Sequence, residues 1–501
     1  MYVNAARFHV PYTLCDLNES DLAEIERRGA YTEPWETAVP FLDPCHVRSK
    51  VRELQDELAG VLTSAIEASG QPAADFGLKA IMLALLGYPD VDPGGATPMR
   101  WLPPLEKCNT RSHEDTRRIF EHGWRHCDLP QPKVGIFIGD GQSVLRCRDR
   151  KKKYPSANRN NVIGVGAFHT LAHFLFVMIG GYWWCLLFDC HAKLGLEKLT
   201  AEKSRGVVSS KMKDLDGGNF EHAFTFVRVV TIAIYAFILQ DVVSPPPELF
   251  LRNPDAYLRR CNAAGAEVLL RFLRNAGVPA LQYQRAARTG RGETLLSLFA
   301  HTFHQMRTYH FKPNITAECV IGVISFVCTH PKLHPVMRAY MSVSLLGRVG
   351  RNMAMDRLLE YVNMLQQQRM VAFSGFDTAL HFTEMLRAMI HVDHAYEDAT
   401  RGASSSADPI TKSMLLQARI LQDHFKDQLG DNLSQENDAN PFWYTGKETP
   451  MRDGDFRTRQ PWLWADRVAE GRSKGTDRAE PESWRAYLTD FFENHMWDRA
   501  V

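Results

Sequence analysis

Val134-Gly-Ile-Phe-Ile138-Gly-Asp140-Gly141 and, further on, Val162-Ile-Gly-Val165-Gly-Ala-Phe168-His169 decide how this chain is read. Each is a short apolar run that ends at glycine, the pattern of a buried strand stopping at a turn. Between them Gln142–Tyr154, rich in Arg and Lys, reads as a helix closed by Pro155, and Phe168–Ile179 reads as an apolar helix. Strand, helix, strand, helix at this spacing predicts a right-handed βαβ unit with parallel strands. Both strands then set their carboxyl ends, Asp140 and Gly166–His169, on one edge, where open α/β sheets usually bind ligands.

Around this unit the chain is helical by period. Residues 1–45 are loop-rich and carry Pro11, Pro34, Pro40 and Pro44. In His46–Ser69 the residues Val51, Leu54, Leu58, Val61, Leu62 and Ile66 recur at helical spacing. Phe76–Leu86 and His113–His122 are further helices. Downstream, helices are expected over Phe220–Leu239, Ala256–Asn275, Gly292–Thr308, Met353–Met370, Phe376–Tyr396 and Ile410–Leu429. Asp241-Val-Val-Ser-Pro-Pro-Pro and Arg401–Pro409 are connectors, and the tail from Gly430 is polar and turn-rich, with a short helix near Glu482–Asn494. The expected fold class is therefore mixed α/β and mostly helical, a small parallel βαβ core embedded in a large helical array. Three regions follow: 1–128, an N-terminal helical region; 129–400, the core with the βαβ unit and a helical bundle; and 401–501, a C-terminal helix and loop-rich tail.

Composition narrows the function classes. Of 501 residues, 45% are hydrophobic and 23% charged, which excludes wholesale disorder. With 59 Lys+Arg against 58 Asp+Glu, a generally basic nucleic-acid coat is excluded and only a local basic patch remains. Ten scattered cysteines without a CxxC pair suit a reducing compartment, and the N-terminus lacks an apolar core followed by a small-residue cleavage site, so the expected location is intracellular, with the nucleus a candidate. Cys108, His113, His122, His126 and Cys127 come nearest to a zinc set, but their spacing matches no common structural site. Gly164–Phe188 holds no Asp, Glu, Lys or Arg and is long enough to cross a bilayer, with the basic Arg150–Lys153 upstream. A strand followed by a buried helix explains the same composition and is the preferred reading; a membrane span is the alternative.

Four groups of residues can do chemistry. Asp140, flanked by glycines just past a strand, can project a carboxylate into a cleft, although a turn aspartate satisfies the same pattern. His169 and His173 lie at i and i+4 of the next helix and face one way, as a metal pair or as core histidines. In Arg351-Asn-Met-Ala-Met-Asp356-Arg-Leu-Leu-Glu360-Tyr-Val-Asn363, the residues Asp356, Glu360 and Asn363 share one helix stripe. Two like charges at i, i+4 cost a few tenths of a kcal/mol unless a cation such as Mg²⁺ or a nearby Arg compensates them, or unless the face is solvated. Finally Arg146, Arg148, Arg150, Lys151, Lys152 and Lys153 decorate the helix that leaves Asp140, and suit a phosphate-bearing substrate or a solvated surface alike.

Taken in order, Ile138-Gly-Asp140-Gly-Gln142, Lys-Lys-Tyr154-Pro155 and Gly166-Ala-Phe168-His169 resemble the signature of a eukaryotic family called domain of unknown function 6589. Trp183 and Trp184, Ala287-Arg288-Thr289-Gly290, the Asp356/Glu360/Asn363 stripe and Asn440-Pro441-Phe442 extend the resemblance over residues 100–450. Members occur in mobile-element-like gene sets and resemble transposases whose acidic residues would hold divalent metal. By that resemblance the core would be a degenerate ribonuclease-H-like one. Asp140, Asp356 and Glu360 become ligands of Mg²⁺ or Mn²⁺, His169 a helper at a catalytic centre for phosphodiester cleavage or strand transfer, and Arg288 and Asn363 accessory residues. Where the family commonly has Asp before Phe-His this chain has Ala167, so the resemblance also implies a copy that has lost cleavage. The expectation is a transposon-derived, nuclease-like protein that binds nucleic acid. The alternatives are a non-enzymatic helical scaffold and a protein spanning a membrane at 164–188. Oligomeric state is not legible in the sequence.

Overall fold

The computed structural model describes residues 6–8, 18–72, 75–87, 99–101, 113–125, 135–139, 160–196, 220–241, 264–308, 313–344, 352–358 and 412–430, with single positions at 144–154 and Ala388. Their order is β1 (Ala6–Phe8), α1 (Glu19–Arg28), α2 (Pro44–Ser69), α3 (Leu78–Leu86), β2 (Met99–Trp101), α4 (His113–Arg125), β3 (Gly135–Gly139), β4 (Asn161–Val165), α5 (Ala167–Tyr182), α6 (Phe188–Lys193), α7 (Phe220–Asp241), α8 (Ala264–Phe272), α9 (Val278–Thr289), α10 (Gly292–Thr308), α11 (Pro313–Val327), α12 (His334–Tyr340), β5 (Ser342–Val343), β6 (Met353–Ala354) and α13 (Lys412–Gly430). The class is as expected: helices dominate and enclose a small parallel pair. The expected helix Phe376–Tyr396 and the tail lie outside the described residues, apart from Ala388.

β3 and β4 pair in parallel, from Gly135 opposite Asn161 to Gly139 opposite Val165. Val144, Arg146, Cys147, Arg150 and Lys153, between them, are helical, so the strand–helix–strand reading holds where it is described. On β4 the Ile163 N–H donates to Tyr31 Oη at 3.1 Å and its carbonyl accepts from Ser325 Oγ. Side chains from the N-terminal region and α11 thus take the groups that a further strand would need at this edge.

α5 is apolar all round and buried all round, as a helix in the middle of a core must be. It packs against α9 and α10, while α11 lies along β4 and α2 closes the far side of α10. The charge-free stretch Gly164–Phe188 is therefore divided between the end of β4, α5 and a π-helical turn at Trp183–Leu187. One described helix segment, His222–Gln240, is long and apolar enough to cross a membrane, and 89% of it is buried inside the protein. Its one charge, Arg228, lies 4.7 Å from the centre of the Phe224 ring and donates to Gln284 Oε1 at 3.3 Å.

Three expectations need correction. Residues 1–45 are not merely loop: Asn18 caps α1, accepting from the Asp21 N–H at 2.9 Å while Asp21 accepts from the Asn18 N–H at 2.8 Å. This reciprocal pair sits in the sequence as Asn18-Glu-Ser-Asp21. Of the expected helix Ala256–Asn275 the described part starts at Ala264, and it runs on through a π-helical turn at Leu273–Gly277 into α9. The expected helix Met353–Met370 begins instead with Met353 and Ala354 paired antiparallel to β5, and helix starts at Met355.

Two histidines of α10 hydrogen-bond to backbone carbonyls of other segments. His301 and His304 place Nε2 3.1 Å from the Asn275 carbonyl and 2.8 Å from the Leu42 carbonyl, so each neutral ring donates there. Burial pushes both pKa values down, to about 4. The unfolded histidines titrate near 6.5, so between that pH and about 4 the unfolded chain binds more protons and stability falls as the pH falls. We expect the thermal midpoint to drop steadily through this window, by a loss on the order of several kcal/mol for the pair. His304→Gln, which keeps a donor for the Leu42 carbonyl, should remove part of the slope; a midpoint independent of pH across the window would refute the assignment.

Candidate functional site at the strand edge

The parallel strands end where α5 begins. The Gly166 N–H donates to the Gly139 carbonyl at 3.0 Å, extending the ladder one residue past β4, and Gly166 then serves as the N-cap of α5. A glycine cap has no side chain for the first free N–H groups of the helix. Asp356, 187 residues from His169 along the chain, supplies it: Oδ1 accepts from the Phe168 N–H at 3.1 Å and Oδ2 from the His169 N–H at 2.8 Å. These are the second and third helical positions, the ones a cap normally satisfies.

The same carboxylate orients the His169 ring, whose Nδ1 lies 3.0 Å from Oδ2. With the carboxylate ionised, the ring donates Nδ1–H. Asp356 is 2% exposed and His169 8%, so this is a buried pair. The amino end of α5 also favours the negative charge through its helix dipole. A side chain at Gly166 would overlap the Asp356 carboxylate; only glycine lets the acid come this close.

Beside the pair is a recess whose empty volume, open to solvent, is about 420 Å³. Phe168, Phe220 and Phe224 form its aromatic wall, with the Phe168 and Phe220 rings edge to face at 4.8 Å. Gln284 and Arg288 of α9, with Asn352 and Arg357, form the polar wall. Gly290, in the left-handed conformation at φ 71°, ends α9 and leaves Arg288 in its last turn. The Arg288 carbonyl accepts from the Asn352 N–H at 3.3 Å, which ties the two segments of the polar wall together. Arg357 sits 5.9 Å from the centre of the Phe168 ring.

Of the residues singled out in the sequence, the structure brings His169 and Asp356 together and sets Arg288 in the adjoining recess. Asp140, Glu360, Asn363, Lys151 and Lys152 lie outside the described residues; Gly139, the chain neighbour of Asp140, bonds to Gly166 as given above. In the basic helix Arg146 is half-buried and Arg150 is buried, its guanidinium 5.0 Å from the Tyr154 ring centre and its pKa lowered by burial. Exposed Lys153 lies 5.5 Å from the same ring. Among the described members of this helix, Arg150 is buried against Tyr154 and Lys153 is exposed. Of the zinc-like set, His122 is buried in α4, and Cys108, His126 and Cys127 are outside the described residues.

The described donors at the strand edge do not fit a divalent cation by themselves. Asp356 Oδ2 already accepts two hydrogen bonds and Oδ1 one, Ala167 offers no donor, and among the described residues no three His, Cys, Asp or Glu side chains converge as a metal group. Comparison of the chain with family models, curated proteins and solved structures finds no match.

Sequence reasoning missed Asn352 and Arg357, and placed Gly166 on the strand edge without its role as the cap that admits Asp356. Gly166 was visible as the turn after the second strand, but no local pattern announces a cap from a distant segment. We expect Gly166→Ala to displace the carboxylate and destabilise the fold by roughly 2–4 kcal/mol, the range for a buried network broken sterically. Asp356→Asn, which keeps the shape, should cost about 1–3 kcal/mol. Urea denaturation checks both; a Gly166→Ala protein as stable as the parent would show that the carboxylate does not rest there.

Proposed function

We propose that the chain is a nucleic-acid-binding protein derived from a mobile-element nuclease, similar to a metal-dependent transposase in the layout of its strand edge, and that in this copy binding has outlived cleavage. The observation that carries the reading is the meeting of Asp356 with the Gly166–His169 turn at the carboxyl ends of the parallel strands. It gathers an acid and an imidazole, far apart in the chain, at the edge where α/β folds bind their ligands. A degenerate ribonuclease-H-like core is the finer fold reading under this proposal. The closure of β4 by Tyr31 and Ser325 is what makes it degenerate, since a further strand has no place to pair at Ile163.

Loss of cleavage is supported by the donors. Ala167 stands where the resembled family has a carboxylate, and Asp356 spends three acceptor positions on the start of α5 and the His169 ring. Mg²⁺ or Mn²⁺ belongs to this proposal as the ion of the ancestral centre, and no step of the present chain is routed through it. A non-enzymatic helical scaffold is the second reading, favoured by the same use of Asp356 as a cap. An intracellular setting, the nucleus included, goes with either.

The test is a titration of labelled DNA and RNA with the purified chain, with and without Mg²⁺ or Mn²⁺, reading retention and cleavage together. We expect binding that weakens as salt rises, because phosphate contacts release counterions, and no metal-dependent cleavage. Absence of binding to either nucleic acid leaves the scaffold reading. Metal-dependent cleavage that disappears in Asp140→Asn would overturn the claim that this copy is inactive.

A further inference from the structure

We propose that the recess beside Phe168 takes one unstacked nucleotide of a single-stranded nucleic acid, with the base against the aromatic wall and its phosphate toward Arg288 and Arg357. The inference rests on the nucleic-acid-binding reading above and adds to it the form of the ligand and the place where it is held. Three observations converge on it.

The first is shape and surface. The recess is open to solvent and is lined on one side by Phe168, Phe220 and Phe224, so a flat ring can lie against that side from the mouth. Base–aromatic stacking is the common means of holding single strands, since every base has a π face and a duplex hides it. Phe168 is half-buried, whereas Phe220 and Phe224 are buried, so of the three Phe168 has the most accessible surface.

The second is an unsatisfied acceptor. Asn352 is 5% exposed and lines the recess, yet its buried Oδ1 has no hydrogen-bond partner. An orphaned buried acceptor is costly to keep, and a ligand N–H that reaches it removes the cost. A base edge offers such N–H groups, and a carboxamide is a usual side chain for reading one.

The third is positive charge in the polar wall of the recess. Arg288 and Arg357 come from separate segments and both line it. Guanidinium groups match phosphate oxygens in geometry as well as in sign. An aromatic floor, a buried amide acceptor and two arginines together specify a planar, hydrogen-bonding, anionic ligand, which a nucleotide is.

The experiment is fluorescence anisotropy of a labelled single-stranded oligonucleotide and of its duplex, with the full chain and the variants Asn352→Ala, which removes the acceptor, and Phe168→Leu, which removes the ring. The parent should bind the single strand more tightly than the duplex. Each variant should lose roughly tenfold on the single strand and stay within about twofold on the duplex. Thermal unfolding of each variant accompanies the measurement, and if one fails to fold, the other decides. Single-strand affinity unchanged in the folded variants, or equal losses on both ligands, overturns the inference while leaving nucleic-acid binding intact. A parent that binds neither ligand removes the underlying reading and the inference with it.

Discussion

A buried carboxylate at the amino end of a buried helix is the constraint on which this strand edge depends. α5 starts inside the protein, at a glycine, with no water to take its free N–H groups. Without Asp356 the Phe168 and His169 amides would be left unpaired in the interior, and without those amides and the His169 ring an ionised Asp356 would be a buried charge with no compensation. Each makes the other tolerable. The consequence is a fixed tie between two parts of the chain that share no sequence neighbourhood, and that tie bounds the recess, since Ala354 and Arg357, which flank Asp356 in the chain, line it together with Phe168.

The strands and many of the helices were legible because their signals are local. The apolar run at Val134–Ile138 is strand at Gly135–Gly139, and Gly292–Thr308 is helix over the same residues. Period and glycine punctuation suffice there. What period could not supply is the partner of a helix end. Any of the 58 acidic residues satisfies a donor equally well on paper, and only the fold selects Asp356. Asp356 was singled out for the stripe it forms with Glu360, and the structure gives it a different task, because the helix expected to carry that stripe starts at Met355 and turns its first carboxylate toward α5.

The apolar stretch that reads as a membrane span shows a related limit of composition. α5 and α7 are buried on every face because other helices surround them, so hydropathy reports the surroundings without naming them. The polar groups inside are the more informative part. Arg228 is shared between a ring face and Gln284, and Tyr182 Oη donates to the Arg271 carbonyl at 3.1 Å beside a π-helical turn. Such partners lie in protein side chains and backbone.

How far a carboxylate can serve two masters decides what the strand edge is for. An ionised carboxylate has about four acceptor positions, and three of those on Asp356 are occupied. The fourth, on Oδ1, is enough for one more hydrogen bond and too little for a bidentate grip on a cation. A ligand drawn to this edge therefore meets the acid indirectly, through the His169 ring it orients and through the Phe168 backbone it anchors. Phe168 joins the two features: its N–H is bound by Asp356 and its ring lines the recess. Under the proposed reading, recognition at this edge falls to an aromatic face and the arginines beside it, while the acid keeps Phe168 in place.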